Sequence, residues 1–147
     1  MNINGQEFGP GVNLKGKDLQ RANLRGIDLT GADLRGTNLS YAILCHARLC
    51  DSNLRYAFLE NANLSDADLS NANLRRANLS HANLSGARLL NANLRSANLR
   101  KANLYEADLS GAALDDAMLF DALILHTKFS GATISRAHGY KPFGDRE

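Results

Sequence analysis

The chain has 147 residues, enough for one domain of ordinary size, and its formal net charge is +2. That charge lacks the strong positive excess of a dedicated nucleic-acid binder and the acidic excess of a DNA mimic. The sequence contains no tryptophan and only 6% aromatic residues, so the core must be built from small aliphatic side chains.

Residues 1–11 are predicted to form an N-terminal cap, with Ile3 and Phe8 as its apolar side chains. The segment has no basic region followed by an apolar one, so it does not read as a secretory signal. No apolar run approaches the roughly 18 residues that a membrane span needs. We therefore expect a cytoplasmic protein without a membrane span.

Residues 12–136 are dominated by a five-residue repeat. Leucine occupies every fifth position from Leu14 to Leu119, and the same register continues with apolar residues as far as Ile134. A small residue, usually alanine, stands two positions before each of these, and Asn or Asp usually lies between them. The exceptions at the position two before the central residue are Val12, Lys17, Ile27, Thr37, Ser52 and Thr127.

This spacing excludes one long helix or one long strand. In a helix, a five-residue step turns each leucine by about 140° and spreads the leucines around the whole surface. In a strand, an odd repeat places alternate leucines on opposite faces. The repeat works if each pentad is a short extended piece followed by a corner, so that the chain winds into a stacked solenoid.

Two series of charged residues predict four pentads in each coil. The residue after the leucine is basic at five positions twenty apart: Lys15, Arg35, Arg55, Arg75 and Arg95. The residue before the leucine alternates in charge at the same interval: Asp28, Arg48, Asp68, Arg88, Asp108 and Lys128. Stacking would place opposite charges of the second series above one another, in about six coils. Duplication of an ancestral segment would leave the same series without any such stacking.

With this repeat the chain resembles the pentapeptide-repeat proteins, which carry tandem A-(D/N)-L-x-x units. The similarity covers residues 12–136, and all 25 central positions from Leu14 to Ile134 are apolar. The resemblance implies an all-β fold, a right-handed quadrilateral β-helix with the leucines and small residues inside. The handedness follows from the resemblance alone.

The remaining residues, 137–147, are predicted to form a C-terminal tail or cap containing Tyr140 and Phe143. Just before them, outward positions become apolar at Met118, Phe120, Leu123 and Leu125. An exposed apolar patch of this kind requires a cover. The tail or a second copy of the chain could supply it, and the resemblance implies that dimers are common in the family.

The basic column Lys15, Arg35, Arg55, Arg75 and Arg95 could hold a polyanion such as a nucleic-acid backbone. A solvated strip that keeps the rod soluble is the favoured interpretation, because no aromatic residue is expected between the cations to stack on bases.

No catalytic, metal or cofactor site is predicted. Cys45, His46 and Cys50 have the elements of a metal cluster, but a pentad places the two cysteines on adjacent faces, where the ligands do not converge. The same geometry disfavours a disulfide. No nucleophile, base and supporting group come together, so we expect a protein that is not an enzyme.

The favoured function is a structural or interaction scaffold for an unknown protein partner. The alternative, which the sequence favours less, is polyanion or nucleic-acid binding through the basic column. The resemblance implies a third role, since some relatives mimic DNA and bind type II topoisomerases such as gyrase. Mimicry is disfavoured here because cations stand where a mimic needs anions.

Overall fold

The computed structural model describes residues 2–3 and 6–140 of the chain. At the N-terminus, β1 (Asn2–Ile3) and β2 (Gln6–Glu7) pair in an antiparallel hairpin. The chain then winds into stacked coils, and no residue range in them forms a longer named strand within the described part.

Single parallel β-bridges hold each coil to the next, and every bridge joins residues twenty apart. The first bridge pairs Asn13 with Asp33 and the last pairs Met118 with His138. One coil therefore contains four pentads, as the twenty-residue spacing of the charges predicts. The residues of each charged series therefore stack directly on one another.

Each coil has four faces, named here by their outward ladder residues in the first coil. Face A begins at Asn13, face B at Asp18, face C at Asn23 and face D at Asp28, and each continues at every twentieth residue. The two residues after each leucine form the edge to the next face, so Lys15 opens the A–B edge.

The edges are β-turns of one kind along the whole rod. The N–H of Lys17 donates to the carbonyl oxygen of Leu14 at 3.0 Å, and this bond recurs at each pentad. The second residue after every leucine has a φ between 54° and 71°, from Gly16 to Arg136. A positive φ at the third turn position is the signature of a type II turn and favours glycine. Most of these positions are not glycine, for example Tyr41 and Tyr56.

Stacking supports these left-handed residues. The corner N–H of Tyr41 donates to the carbonyl oxygen of Glu60 in the next coil at 2.9 Å. A non-glycine residue in this conformation costs about 1–2 kcal/mol, and ladder bonds on both sides of the corner offset that cost. The corners are therefore products of the coil as well as of local sequence.

The Asn and Asp side chains before the leucines form hydrogen bonds with the backbone of their own coil, and some of them also bond to the side chain in the neighbouring coil. The Asn13 side-chain oxygen accepts a hydrogen bond from the N–H of Lys15 at 3.1 Å, and most pentads repeat this bond. Many of the amides also stack into ladders, in which Asn98 donates to Asn78 at 3.0 Å. These side chains favour the turn that follows, in agreement with their turn preference.

The core consists of leucine and the small residue before it. From Leu24 to Leu119 every central leucine is at most 2% exposed. Thr37 and Ser52, two of the exceptions to alanine, are also buried, and their hydroxyls donate to the carbonyl oxygens of Leu14 at 2.8 Å and Leu49 at 2.7 Å. A hydroxyl enters the core because a backbone acceptor is within reach.

The two ends of the rod differ. Near the N-terminus, Phe8 is 6% exposed and packs against the core, whereas in the first coil Leu19 is only partly buried and Lys17 is exposed. In residues 120–140 the inward pattern continues, but every described residue is at least partly exposed. Ile124 and Phe129 are only partly covered, because no further coil of the described chain stacks on them. The predicted limits of the cap, the repeat and the tail remain predictions, and Phe143 lies outside the described residues.

Candidate interaction surfaces

The five cations of the basic column lie on the A–B edge, one per coil. Their spacing of twenty residues places Lys15, Arg35, Arg55, Arg75 and Arg95 in consecutive coils, with backbones about 4.8 Å apart. The next residue of the column is Asp115. The column therefore ends in an acid before the last coil.

Carboxylates neutralise the column near its two ends. The Arg35 Nε donates to Asp33 Oδ1 at 2.8 Å, and Arg95 Nε lies 3.2 Å from Asp115 Oδ2. The hydrogen bond from Arg35 holds the pKa of Asp33 below its ordinary value. The unbalanced charge is thus concentrated in the middle of the rod.

An aromatic ring lies within the middle of the basic column, so the expectation that none does is wrong. The guanidinium carbons of Arg55 and Arg76 lie 5.6 and 5.9 Å from the Tyr56 ring centroid. Arg76 also donates to the Tyr56 hydroxyl at 3.3 Å, and this bond, with Arg55 alongside, lowers the pKa of the phenol. Within the described residues, the guanidinium of Arg75 has no such partner.

Face B carries a second ring beside this cluster. Phe58 is 52% exposed and takes an outward ladder position between Asn38 and Asn78. Its apolar side chain interrupts the amide ladder, because Asn78 finds no amide oxygen at position 58 to accept its hydrogen bond. The sequence offered a signal for this site: Tyr56 and Phe58 follow Arg55 by one and three residues. Only the coil shows that they share its surface.

The B–C edge adds further cations to the same side. Arg21 stacks over Tyr41 at 5.4 Å, and Arg100 stacks over Phe120 at 5.2 Å. We use "face-B strip" for face B with its two edges from residue 15 to residue 101. Its cations are Lys15, Lys17, Arg21, Arg35, Arg55, Arg75, Arg76, Arg95, Arg100 and Lys101, and its carboxylates are Asp18 and Glu60.

Face D balances its charges as predicted. Arg48 lies 3.2 Å from Asp28, and the next two pairs follow at 4.0 Å (Arg88–Asp68) and 3.7 Å (Lys128–Asp108). The Thr30 hydroxyl, which donates to Asp28 at 2.7 Å, is the main cause of the lowered pKa of that carboxyl. Exposed pairs like these contribute little to stability, because water and salt screen them, so face D is a weakly stabilising ladder with little net charge.

The predicted C-terminal patch spans faces B and C of the last coils. Met118 is half-buried, whereas Phe120, Leu123 and Leu125 are 43%, 49% and 41% exposed. The Phe120 ring stacks on His138 at 6.4 Å between centroids. Three of the four residues of the predicted patch are therefore exposed.

The open end of the solenoid lies next to this patch. A groove of about 350 Å³ is lined by Ile124, Leu125, His126, Thr127, Phe129 and Tyr140. Tyr140 packs edge-on against Phe129, with ring centroids 5.4 Å apart. Among residues 2–3 and 6–140, nothing covers this groove, which is the interior of the last described coil, since its Ile124 and Phe129 occupy leucine positions.

The cysteines do not form a ligand cluster with His46. Cys45 is buried on the C–D edge, Cys50 lies half-buried on the next edge, and both are free thiols. Burial raises the pKa of the Cys50 thiol above its ordinary value. Residues 2–3 and 6–140 contain no group of His, Cys, Asp and Glu that could hold a metal ion. The same residues contain no helix with the length and hydrophobicity to cross a membrane.

A family model described as pentapeptide repeats matches the chain in eight copies, over residues 13–49, 32–71, 42–80, 72–111 and 97–138. No curated protein matches the chain significantly.

Several solved structures are similar. The pentapeptide repeat protein Rfr23 from the cyanobacterium Cyanothece 51142 is 28% identical over 84% of each chain, with a TM-score of 0.59. HetL from Nostoc sp. strain PCC 7120, a pentapeptide repeat protein involved in heterocyst differentiation regulation, is 25% identical over 94% of each chain, with a TM-score of 0.40. QnrB1, a plasmid-mediated fluoroquinolone resistance protein, is 22% identical over 84% of this chain and 73% of its own, with a TM-score of 0.36. Rfr23 supports a shared fold, and the other two similarities carry no argument about function.

Proposed function

The chain belongs to the pentapeptide-repeat family, and from that premise we propose that it is a non-catalytic scaffold built as a right-handed, four-sided coil. Proteins of this family are generally structural or interaction proteins. The packed interior supports the same role here, because it is filled mainly by leucine and alanine from Leu24 to Leu119 and leaves recognition to the outer faces and the ends.

The open C-terminal end is the proposed docking face for a second copy of the chain. The observation that carries the proposal is the exposure of Leu123 and Leu125 at a groove whose lining includes Ile124 and Phe129, two residues in the leucine positions of the core. Exposed core residues and unpaired coil edges favour association, as at any uncapped solenoid end. Joining two such ends would bury both apolar patches at once.

DNA mimicry is not part of this proposal. A mimic of duplex DNA needs rows of anions, whereas the A–B edge carries a row of cations. An unidentified protein partner on the remaining faces stays compatible with the scaffold.

Sedimentation equilibrium of the full chain over a range of concentrations tests the docking face. We expect a monomer–dimer equilibrium that Leu123→Asp weakens by at least tenfold, because the substitution puts a carboxylate into the apolar contact. Ile43→Asp is the matched control, since Ile43 is 40% exposed at the same ladder position of face C, four coils away.

A monomer at all concentrations would contradict self-docking, and a chain shortened after Tyr140 then identifies the cover. If the shortened chain associates while the full chain does not, the tail covers the end. Equal weakening by both aspartate variants would place the contact on face C instead of the open end.

A further inference from the structure

The face-B strip carries the unbalanced positive charge of the molecule. It contains ten cations and two carboxylates, whereas the whole chain has a net charge of only +2. The rest of the surface is therefore net negative. A polyanion approaching the rod is steered to this strip by the difference in charge.

The middle of the strip also carries an exposed aromatic ring and an amide, which add to its positive charge two groups that can recognise a base. The Phe58 ring is half exposed, and no cation or other ring covers it among the described residues. In the amide ladder of the same face, Asn38 donates to Asp18 at 2.9 Å and Asn98 donates to Asn78 at 3.0 Å. Asn78 would donate to position 58 in the same way, but a phenyl ring occupies that position and its amide N–H groups keep no acceptor in the described chain.

We propose that this part of face B binds single-stranded nucleic acid. One base stacks on the Phe58 ring, and the free amide of Asn78 donates to an acceptor on its edge. Arg75, whose guanidinium has no partner in the described chain, holds a phosphate, and Arg55 and Arg76 beside Tyr56 hold the neighbouring backbone. These groups belong to adjacent coils, so they lie within about 5 Å of one another along the rod axis.

The geometry favours a single strand over the other anionic polymers. Duplex DNA keeps its bases stacked inside the helix, so it offers phosphates to the arginines and nothing to the Phe58 ring. An acidic polypeptide supplies carboxylates but no flat ring to stack. Only an unpaired base uses the cations, the ring and the amide together.

Fluorescence anisotropy with a labelled 12-nucleotide single strand, at about 50 and 200 mM salt, measures this binding. We expect binding that weakens steeply with salt, with a log–log slope of about −0.7 for each phosphate neutralised. A duplex of the same length should bind more weakly. Polyglutamate of equal charge should compete poorly.

Phe58→Asn is the decisive variant, because asparagine restores the amide ladder between Asn38 and Asn78 and should fold at least as well. We expect it to lower the affinity about tenfold, the usual cost of losing one stacked base. Ile43→Asn is its matched control, since it makes the same change on face C and should leave the affinity unchanged.

A second pair of variants tests the phosphate contacts. Arg75→Gln should weaken binding and make the salt slope about 0.7 shallower, whereas Arg88→Gln, which removes one cation from face D, should do neither. No binding at 50 mM salt, or full affinity in Phe58→Asn, would overturn the proposal. Equal competition by polyglutamate would also overturn it and assign the strip to acidic polypeptides. None of these outcomes bears on self-docking, which sedimentation measures at the opposite end.

Discussion

The middle coils and the last coil share one inward pattern but differ in burial. Leu74 and Ala72 are fully buried, whereas Ile134 and Ala132 occupy the same positions of face A, three coils further on, and remain partly exposed. The difference lies in the number of neighbouring coils. Within the described residues, a middle coil is bridged to a coil on each side, whereas the last coil is bridged to one coil only. Burial in this fold is therefore a property of stacking, and stability is a sum of contacts between adjacent coils.

The largest expected effect is the loss of one middle leucine. In Leu74→Lys, burial worth about 1.5–3 kcal/mol is lost and an unpaired ammonium enters the core. We expect a loss of folded protein at room temperature, measured by circular dichroism and urea unfolding. Ile134→Lys should cost about 1 kcal/mol or less, because lysine at the open end can reach water. Equal costs for the two variants would contradict the role assigned to stacking.

Enlarging the inward alanine should also destabilise a middle coil more than the last coil, but the difference in stability should be smaller than for the lysine variants. Ala92 is fully buried, so Ala92→Leu should overpack the interior and cost about 1–3 kcal/mol. Ala132→Leu lies beside the open groove and should be neutral or slightly stabilising. Thermal melts of the two variants measure the contrast, and a destabilised Ala132→Leu would indicate that the end is already closed.

Acid should have the smallest effect and should loosen the end first. The Ser110 hydroxyl, which donates to Asp108 at 2.6 Å, lowers the pKa of that carboxyl, and Lys128 contributes from the last coil. A lowered folded-state pKa adds stability above the ordinary value of 3.8, and this stability is lost as pH falls through the folded value.

Melts between pH 6 and pH 3 therefore should show a falling midpoint, with a smaller fall in Asp108→Asn. The fall is smaller in that variant because asparagine has no carboxylate to protonate, so acid removes no stability at position 108. An unchanged pH dependence in Asp108→Asn would remove the Asp108–Lys128 pair from this account.

The period of the sequence predicts most of the fold. Leucine at every fifth position gives the pentad, and the alternation from Asp28 to Lys128 gives the twenty-residue coil, because both depend on regular spacing alone. The uniform left-handed corners are harder to foresee, since tyrosine, histidine and arginine disfavour that conformation unless the coil supports it.

The candidate sites are less predictable for a related reason. The sequence identifies the basic column and the patch around Leu123, which repeat or cluster along the chain. It does not indicate that Phe58 breaks an amide ladder beside a cation cluster, because that depends on residues twenty positions before and after it in neighbouring coils.

Amide hydrogen exchange at several protein concentrations tests most directly whether the last coil is unfinished without a partner. At low concentration, peptides from residues 120–140 should exchange much faster than those from residues 64–84, because local opening needs to break contacts with one coil only. At high concentration, their protection should rise as two ends dock, while the middle coils stay unchanged. Strong protection of residues 120–140 at the lowest concentration would contradict the account, since the end would then be closed within one chain.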